Sequence, residues 1–212
     1  MKARIKFRKY GVMKFIGHLD VMRFFQKVMR RADIPIAFTQ GFSPHMIMSF
    51  AQPLGIGVTS DAEYFDIELT EEIDMQAAVA RMNETVVEGI EIVNMVLISD
   101  DKKQTGMSIV AAADYLSSLK NGEFPDDWKE KAEGFMSQPS ISIVKKTKKS
   151  EKEVDIKPMI YKFEVRDDSV YMLVATGSVE NLKPELVMQA LCNFLSVDTE
   201  SVSFAHHRKW YC

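Results

Sequence analysis

The chain has 212 residues, of which 46% are hydrophobic and 27% charged, with a formal net charge of −3. This composition excludes a disordered chain, and the length suits one large globular domain or two small ones. No apolar run reaches about 18 residues and no continuous apolar stretch follows the basic N-terminus, so we expect no membrane span and no signal peptide. Two cysteines, Cys192 and Cys212, exclude a disulfide framework, and we expect a cytoplasmic protein.

Positive and negative charges are separated along the sequence. Residues 1–50 contain ten Lys and Arg and two acids, whereas residues 51–100 contain eleven acids and a single base, Arg81. This separation predicts a positive surface beside a negative one. A concentrated positive surface favours a polyanion as the partner.

Residues 1–98 are predicted to form a ferredoxin-like domain. Residues 2–9 alternate apolar and charged side chains, which predicts a half-buried strand with a cationic outer face. Residues 17–32 have apolar residues at helical spacing, and Pro35 ends this helix. The further elements are a strand at 34–38, a structured loop at 39–57, a strand at 63–69, a helix at 73–86 and a strand at 90–98. The order βαββαβ predicts an α+β sandwich with an antiparallel sheet.

Residues 99–106 are predicted to be a linker, and residues 107–212 a second ferredoxin-like domain. Residues 108–119 fit either a helix, which Ala111–Ala113 favour, or a strand, which the repeated order favours. The further elements are helices at 126–136 and 184–195 and strands at 141–144, 159–165, 170–175 and 201–210. Pro184 is typical of the first helical position. A basic loop is predicted at 145–152.

Two groups of basic residues are candidates for phosphate binding. The polar face of the first helix carries Arg23, Lys27, Arg30 and Arg31. The alternative is a solvated face, which every amphipathic helix needs. The second group is Lys145, Lys146, Lys148 and Lys149, whose alternative is a flexible solvated loop. Either group would bind a nucleic-acid backbone with strong salt dependence.

The segment Gln40-Gly41-Phe42-Ser43-Pro44-His45 is a candidate ligand-binding loop. Gly41 predicts a positive φ or a close backbone approach. Phe42 offers a ring for stacking, and Gln40, Ser43 and His45 offer polar groups, which suits a nucleobase or a cofactor. Alternatively, Phe42 packs in the core and Pro44 stiffens a turn. The length of the loop favours a functional role.

Other polar residues do not form a recognisable catalytic or metal site. His18 and Asp20 point to different sides of a helix, and His206 and His207 point to opposite faces of a strand. We predict that His18 helps to cap its helix and that Asp66, with Glu68, lies on a solvated strand face. The sequence has no nucleophile elbow, glycine-rich phosphate loop or cysteine cluster, which argues against an independent enzyme and against a cofactor of its own.

Three segments, residues 15–23, 30–35 and 39–45, resemble the radical SAM-linked (radical SAM-associated) protein family. The resemblance continues through Phe50, residues 54–57 and residues 63–64, reappears at Lys145–Pro158 and covers essentially the whole chain. Members are encoded beside, or fused to, a radical SAM enzyme with a B12-binding region, often near genes of ribosomal proteins and an RNase. The resemblance implies an accessory role on RNA, with the iron–sulfur cluster, S-adenosylmethionine and cobalamin carried by the partner enzyme.

The expected function is therefore that of a non-catalytic adaptor. It would present tRNA, rRNA or a ribosomal target to a radical SAM enzyme through a basic face. One alternative is an RNA-modifying or RNA-processing enzyme with its site in residues 40–45. Another is a protein-interaction scaffold in which the acidic segment Glu63–Glu72 docks a basic partner.

Overall fold

The computed structural model describes residues 1–99, 101, 104–146, 151–177 and 180–209. The chain divides into two compact units, Met1–Val110 and Ala111–Cys212. The predicted linker at 99–106 therefore belongs to the first unit, which ends four residues later. Among the described residues, no helix is long and apolar enough to cross a membrane.

The first unit has the predicted α+β class and the order βαββαβ. Its elements are β1 (Lys2–Lys9), α1 (His18–Arg31), β2 (Met48–Phe50), β3 (Thr59–Glu68), α2 (Met75–Thr85), β4 (Ile90–Ile98) and a short helix α3 (Gly106–Ile109), with a 3-10 helix at Gly11–Phe15. The strands lie in the order β4-β1-β3-β2, and each neighbouring pair is antiparallel. This is the ferredoxin-like arrangement.

The core of the first unit lies between its sheet and its two long helices. Alternate residues of β1 are buried because successive side chains of a strand point to opposite faces. The aromatic centre is Phe7, Phe25 and Phe65, with ring centroids 4.7 Å apart for Phe7 and Phe25 and 4.6 Å for Phe25 and Phe65. The buried face of α1 consists of Val21, Phe25, Val28 and Met29. The basic residues of α1 therefore lie on the outer side of the helix layer.

The second strand of this unit is not where the sequence predicts it. Residues 34–38 form no strand: Ile36 and Phe38 make only isolated bridges, to Leu69 and Met46. Instead, β2 lies inside the predicted loop 39–57 and is three residues long. Pro35 cannot donate a backbone hydrogen bond, and the chain after it turns back at Gly41 before it joins the sheet.

The second unit repeats the same plan with an additional hairpin. Its elements are β5 (Ala112–Asn121), α4 (Trp128–Glu133), β6 (Ser142–Lys146), β7 (Glu151–Asp155), β8 (Ile160–Arg166), β9 (Ser169–Ala175), α5 (Pro184–Phe194) and β10 (Ser203–Lys209), with 3-10 helices at Phe135–Ser137 and Lys157–Met159. The strands β10-β5-β9-β8 are antiparallel neighbours. Of the ambiguous residues 108–119, residues 108 and 109 end the short helix α3, whereas residues 112–119 belong to β5, as the repeated order predicts.

The additional hairpin, β6 and β7, lies between α4 and β8, and its two strands pair with each other in a separate two-stranded sheet. Its base is closed by the N–H of Ile156, which donates to the carbonyl of Ile141 at 2.8 Å. The carboxylate of Asp155 accepts hydrogen bonds from the backbone N–H groups of Ile141 and Lys157. The two chain ends of the hairpin are therefore held together where it leaves the unit.

Candidate nucleic-acid interface

Two of the four cations on the outer face of β1, Arg4 and Arg8, are paired with acids of neighbouring strands. Arg4 Nε lies 2.8 Å from Asp66 Oδ1, and Arg8 Nη1 lies 3.1 Å from Glu91 Oε2. The ammonium group of Lys6 lies over the ring of Tyr64. The basic and acidic segments of the sequence are thus neighbours in one sheet, where they neutralise each other. The predicted separation into a positive and a negative surface does not extend to this sheet.

The four predicted basic residues of α1, in contrast, are all exposed. Arg23 Nη1 lies 3.4 Å from Asp20 Oδ1, an exposed pair of little energetic weight. Within the described part of the chain, Lys27, Arg30 and Arg31 form no ion pair. Arg30 and Arg31 lie in the last turn of α1, where cations also stabilise the helix dipole. The helix therefore presents a positive surface, which we call the basic stripe (Arg23, Lys27, Arg30 and Arg31).

The predicted ligand-binding loop is the tip of a narrow hairpin that follows α1. The N–H of Ile47 donates to the carbonyl of Ala37, and the N–H of Thr39 donates to the carbonyl of His45, both at 2.9 Å. The N–H of His45 donates in return to the hydroxyl of Thr39 at 3.1 Å. Residues 40–44 form the tip. We call residues 37–47 the tip hairpin.

Phe42 is fully exposed at the end of the tip hairpin. The alternative in which Phe42 packs in the core is therefore wrong. Gly41 has φ +111°, as predicted, and a Cβ on this residue would meet nothing within 4 Å. Glycine is therefore needed at this position for its positive φ, and not because a neighbouring atom lies too close for a Cβ. Removing a phenylalanine ring from water is favourable by about 1.5–3 kcal/mol of free energy. A ligand that covers the exposed ring of Phe42 would therefore gain binding free energy.

A cleft of about 230 Å³ lies beside the base of the tip hairpin. Its lining includes Thr39, His45, Ser49, Asp66 and Thr105. Ser49 is opposite Asp66 in the pairing of β2 with β3, and Asp66 is opposite Arg4, so these side chains lie on the sheet face away from α1 and α2. We call this the hairpin cleft. His45 lines it, while the ring atom Nδ1 of His45 lies 3.1 Å from the hydroxyl of Thr39.

The structure brings the predicted residues together only in part. The basic stripe lies on the outer side of the helix layer, whereas the hairpin cleft lies on the opposite face of the sheet. The connection between them is short: residues 32–36 join the last turn of α1 to the base of the tip hairpin. A ligand that contacts both surfaces must therefore pass around this end of the unit.

Asp66 is buried, which corrects the prediction of a solvated strand face. Its Oδ1 accepts from Arg4 Nε at 2.8 Å, and its Oδ2 accepts from Arg4 Nη2 at 3.0 Å and from the N–H of Gly106 at 2.7 Å. Arg4 Nη2 also donates to the carbonyl of Gln104. A Cβ on Gly106 would lie 3.0 Å from Ala51 Cβ, so this position requires a close approach. The Arg4–Asp66 pair thus fixes residues 104–106 on the sheet beside the cleft.

A second polar cluster lies between β1 and the start of α1. Lys9 and Glu63 are buried and line a cavity of about 10 Å³ together with His18. Lys9 Nζ donates to the carbonyl of Ile16 at 2.9 Å. His18 does not cap α1, because Gly17 is the N-cap residue and no side chain bonds the helix start. Instead, the ring of His18 packs edge-on against Phe50, with centroids 5.2 Å apart.

This cluster predicts an acid-sensitive fold. Burial lowers the pKa of His18 below its ordinary value of 6.5, and the charge of Lys9 lowers it further. Below pH 6.5 the unfolded chain takes up a proton that the folded chain resists, so the free energy of unfolding decreases as the pH falls. We expect the melting temperature to fall more steeply with acidification in the wild type than in His18→Phe, which keeps a ring against Phe50. Equal pH profiles would contradict the assigned role of His18.

In the second unit, Ser117, His206 and Glu185 form a hydrogen-bonded chain. Ser117 Oγ lies 2.8 Å from His206 Nδ1, and His206 Nε2 lies 2.7 Å from Glu185 Oε2. Ser117 is almost completely buried, so a substrate cannot reach its hydroxyl. Burial likewise raises the pKa of the Cys192 thiol to about 11, which keeps it protonated and unreactive at neutral pH. Both groups therefore serve the packing of this unit.

The second group of predicted basic residues is described only in part. Lys145 and Lys146 end β6, where they are opposite Lys152 and Glu151 of β7. Lys148 and Lys149 lie outside the described residues. No group of three His, Cys, Asp or Glu residues suited to a metal ion occurs in the described part of the chain.

Sequence reasoning missed several residues of these sites. Lys9 is in phase with Ala3, Ile5 and Phe7, so the alternation of β1 already places it on the buried face. For Ser49, Asp66 and Thr105 no local signal exists, because three separate segments bring them to one cleft.

The profile of the family described as "Uncharacterized protein conserved in bacteria (DUF2344)" matches residues 2–184. No curated protein matches the chain. A similar solved chain occurs in "Crystal Structure of a Cbf5-Nop10-Gar1 Complex", with 12% sequence identity and a TM-score of 0.49. The similarity covers 97% of this chain and 47% of the solved one, so the protein spans about half of that chain.

Proposed function

This chain belongs to the DUF2344 family, and we propose that it is an RNA-binding accessory protein of a radical SAM enzyme. The observation that carries the RNA-binding part is Phe42, whose ring is fully exposed on a hydrogen-bonded tip. Bases of single-stranded RNA stack on such rings without regard to sequence. The tip hairpin would thus offer a preformed platform, and little conformational freedom would be lost on binding.

The basic stripe supports the same proposal. Lys27, Arg30 and Arg31 are exposed cations without an acidic partner among the described residues, whereas Arg4 and Arg8 of β1 are paired with acids. Cations that are free to contact phosphates supply most of the affinity of a protein for nucleic acids. The stripe would position the backbone of the RNA, and Phe42 would contact a base.

The assignment of the partner depends on the resemblance to the radical SAM-linked family. The partner would carry the iron–sulfur cluster, S-adenosylmethionine and cobalamin, and this chain would present tRNA, rRNA or a ribosomal target. Co-purification with the neighbouring radical SAM enzyme, with and without RNase treatment, tests this assignment. Association that survives RNase indicates a direct protein contact, and association in neither sample contradicts the accessory role.

We predict that Phe42→Ala together with His45→Ala lowers the affinity for single-stranded RNA by about 1–3 kcal/mol. The melting temperature should hardly change, because both side chains are exposed. Fluorescence anisotropy with a labelled oligonucleotide and a melting curve on the same variant measure the two quantities.

The matched control is Phe15→Ala, which removes an exposed phenylalanine from the same unit. It should leave RNA affinity unchanged. Unaltered affinity in the Phe42/His45 variant would remove the tip from the interface. Turnover of RNA by the protein alone would instead favour the enzyme alternative with its site in residues 40–45.

A further inference from the structure

We infer that the hairpin cleft receives one unpaired nucleobase of the bound RNA. This inference rests on the proposed RNA-binding function and adds to it a base-binding site that is separate from the Phe42 ring. Phe42 and His45 belong to the same tip hairpin, but Phe42 lies at its end and His45 lines the cleft at its base. A single strand that passes along the hairpin would meet both.

The size of the cleft limits what it can hold. Its volume is about 230 Å³, below the range of roughly 300–1,000 Å³ that is typical of pockets for whole small-molecule ligands. A complete nucleotide cofactor would therefore project far into solvent. One planar heterocycle fits the available space.

The chemistry of the lining suits the flat faces and polar edges of a nucleobase. Most of the exposed surface of the cleft is apolar, and the polar residues Thr39, Ser49 and Thr105 line it. The side-chain hydrogen bonds of His45 all involve Nδ1, so ring atom Nε2 has no partner among the described residues. The lining thus combines apolar contact with donors and acceptors for a base edge.

The charges of the cleft fit an RNA ligand better than a free cation. The carboxylate of Asp66 already accepts three hydrogen bonds, from Arg4 and from the N–H of Gly106, so it is neutralised. Lys2 adds a positive charge at the lining. A phosphate next to the bound base would be favoured at this position. The base must be unpaired, since the faces and edges of a paired base are occupied by its own duplex.

The test fills the cleft without touching the basic stripe or Phe42. Ser49 is exposed on β2 and lines the cleft, so Ser49→Phe adds a ring there, whereas Ser49→Ala keeps the space open. The probes are an oligouridylate of ~10 nucleotides and an abasic oligomer of the same length and charge. For Ser49→Phe we expect affinity for the oligouridylate to fall roughly 5- to 100-fold, the loss of one stacked base. Binding of the abasic oligomer should not change. Ser49→Ala removes one hydroxyl but leaves the space open, so it should lose less affinity for the oligouridylate than Ser49→Phe.

A second measurement needs no change in the cleft. A single 2-aminopurine in the oligomer should be shielded from acrylamide quenching on binding, also in Phe42→Ala, where the tip ring is absent. If the bound 2-aminopurine is fully quenched at every position, the inference is wrong although the protein binds RNA. The same holds if the wild type binds the oligouridylate and the abasic oligomer with equal affinity. Normal oligouridylate affinity of a folded Ser49→Phe overturns it as well. If the wild type binds neither oligomer, the proposed function itself fails.

Discussion

Reversal of three charges on α1, Arg23→Glu, Lys27→Glu and Arg30→Glu in one protein, is expected to lower RNA affinity ~100-fold at physiological salt. Each phosphate contact on a single strand contributes about 0.7 to the slope of log K against log [salt], so three lost contacts reduce this slope by about 2. The fold should survive, because all three side chains are exposed and glutamate is a good helix former. Anisotropy titrations over a salt series measure both the affinity and the slope.

A control with the same change of net charge separates a local from a general effect. Lys129, Lys131 and Lys162 are exposed lysines of the second unit, and each already lies within 2.8 Å of an acidic oxygen. Their reversal to glutamate should change RNA affinity far less than reversal of the basic stripe. Equal losses in both proteins would mean that only net charge matters. An unchanged affinity and salt slope after reversal of the stripe would remove the physical basis of the proposal.

Loss of the Asp66 carboxylate is expected to be the most destabilising change among the ion pairs of the first unit. In Asp66→Ala, Arg4 loses the carboxylate that accepts from its Nε and Nη2, and the N–H of Gly106 loses its acceptor, in a largely buried place. Unpaired groups of this kind cost about 2–4 kcal/mol of the free energy of unfolding. Hydrogen exchange of β1 and β3 followed by mass spectrometry reports on this unit directly, whereas both tryptophans, Trp128 and Trp210, belong to the second unit.

Glu91→Ala provides the matched control for this prediction. It breaks the ion pair between Glu91 of β4 and Arg8, which lies on β1 like Arg4. Both of these side chains are nearly half exposed. An exposed pair contributes less than about 1 kcal/mol, so exchange should change little. Equal effects of Asp66→Ala and Glu91→Ala would contradict the difference in burial. Arg4→Met combined with Asp66→Leu should recover part of the loss, since no charge is then left unpaired.

The sequence predicted those features that depend on local patterns. The α+β class and the bounds of β1, α1 and β4 follow from apolar spacing, and the positive φ of Gly41 follows from its place in a turn. In contrast, β2 has only three residues, too few to show the period of a strand. Residues 34–38 fit that period better, and the sequence pattern therefore predicts a strand there.

The missed parts of the site have a common cause. The pairing of Arg4 with Asp66 joins residues 62 positions apart, and a count of charges along the sequence cannot detect it. The exposure of Phe42 depends on whether other segments of the fold cover its ring. The amino-acid composition of the loop does not determine this. The basic stripe was predictable because the period of one helix determines which of its residues face outward.

The closed base of the β6–β7 hairpin has a consequence for how this protein can diverge among its relatives. Ile141 and Ile156 are buried and already hydrogen-bonded to each other, and the four-stranded sheet of the second unit is complete without the residues between them. Natural insertions and deletions are tolerated where chain ends meet in this way. A change in the length of the segment between Ile141 and Ile156 is therefore compatible with an unchanged four-stranded sheet in this unit.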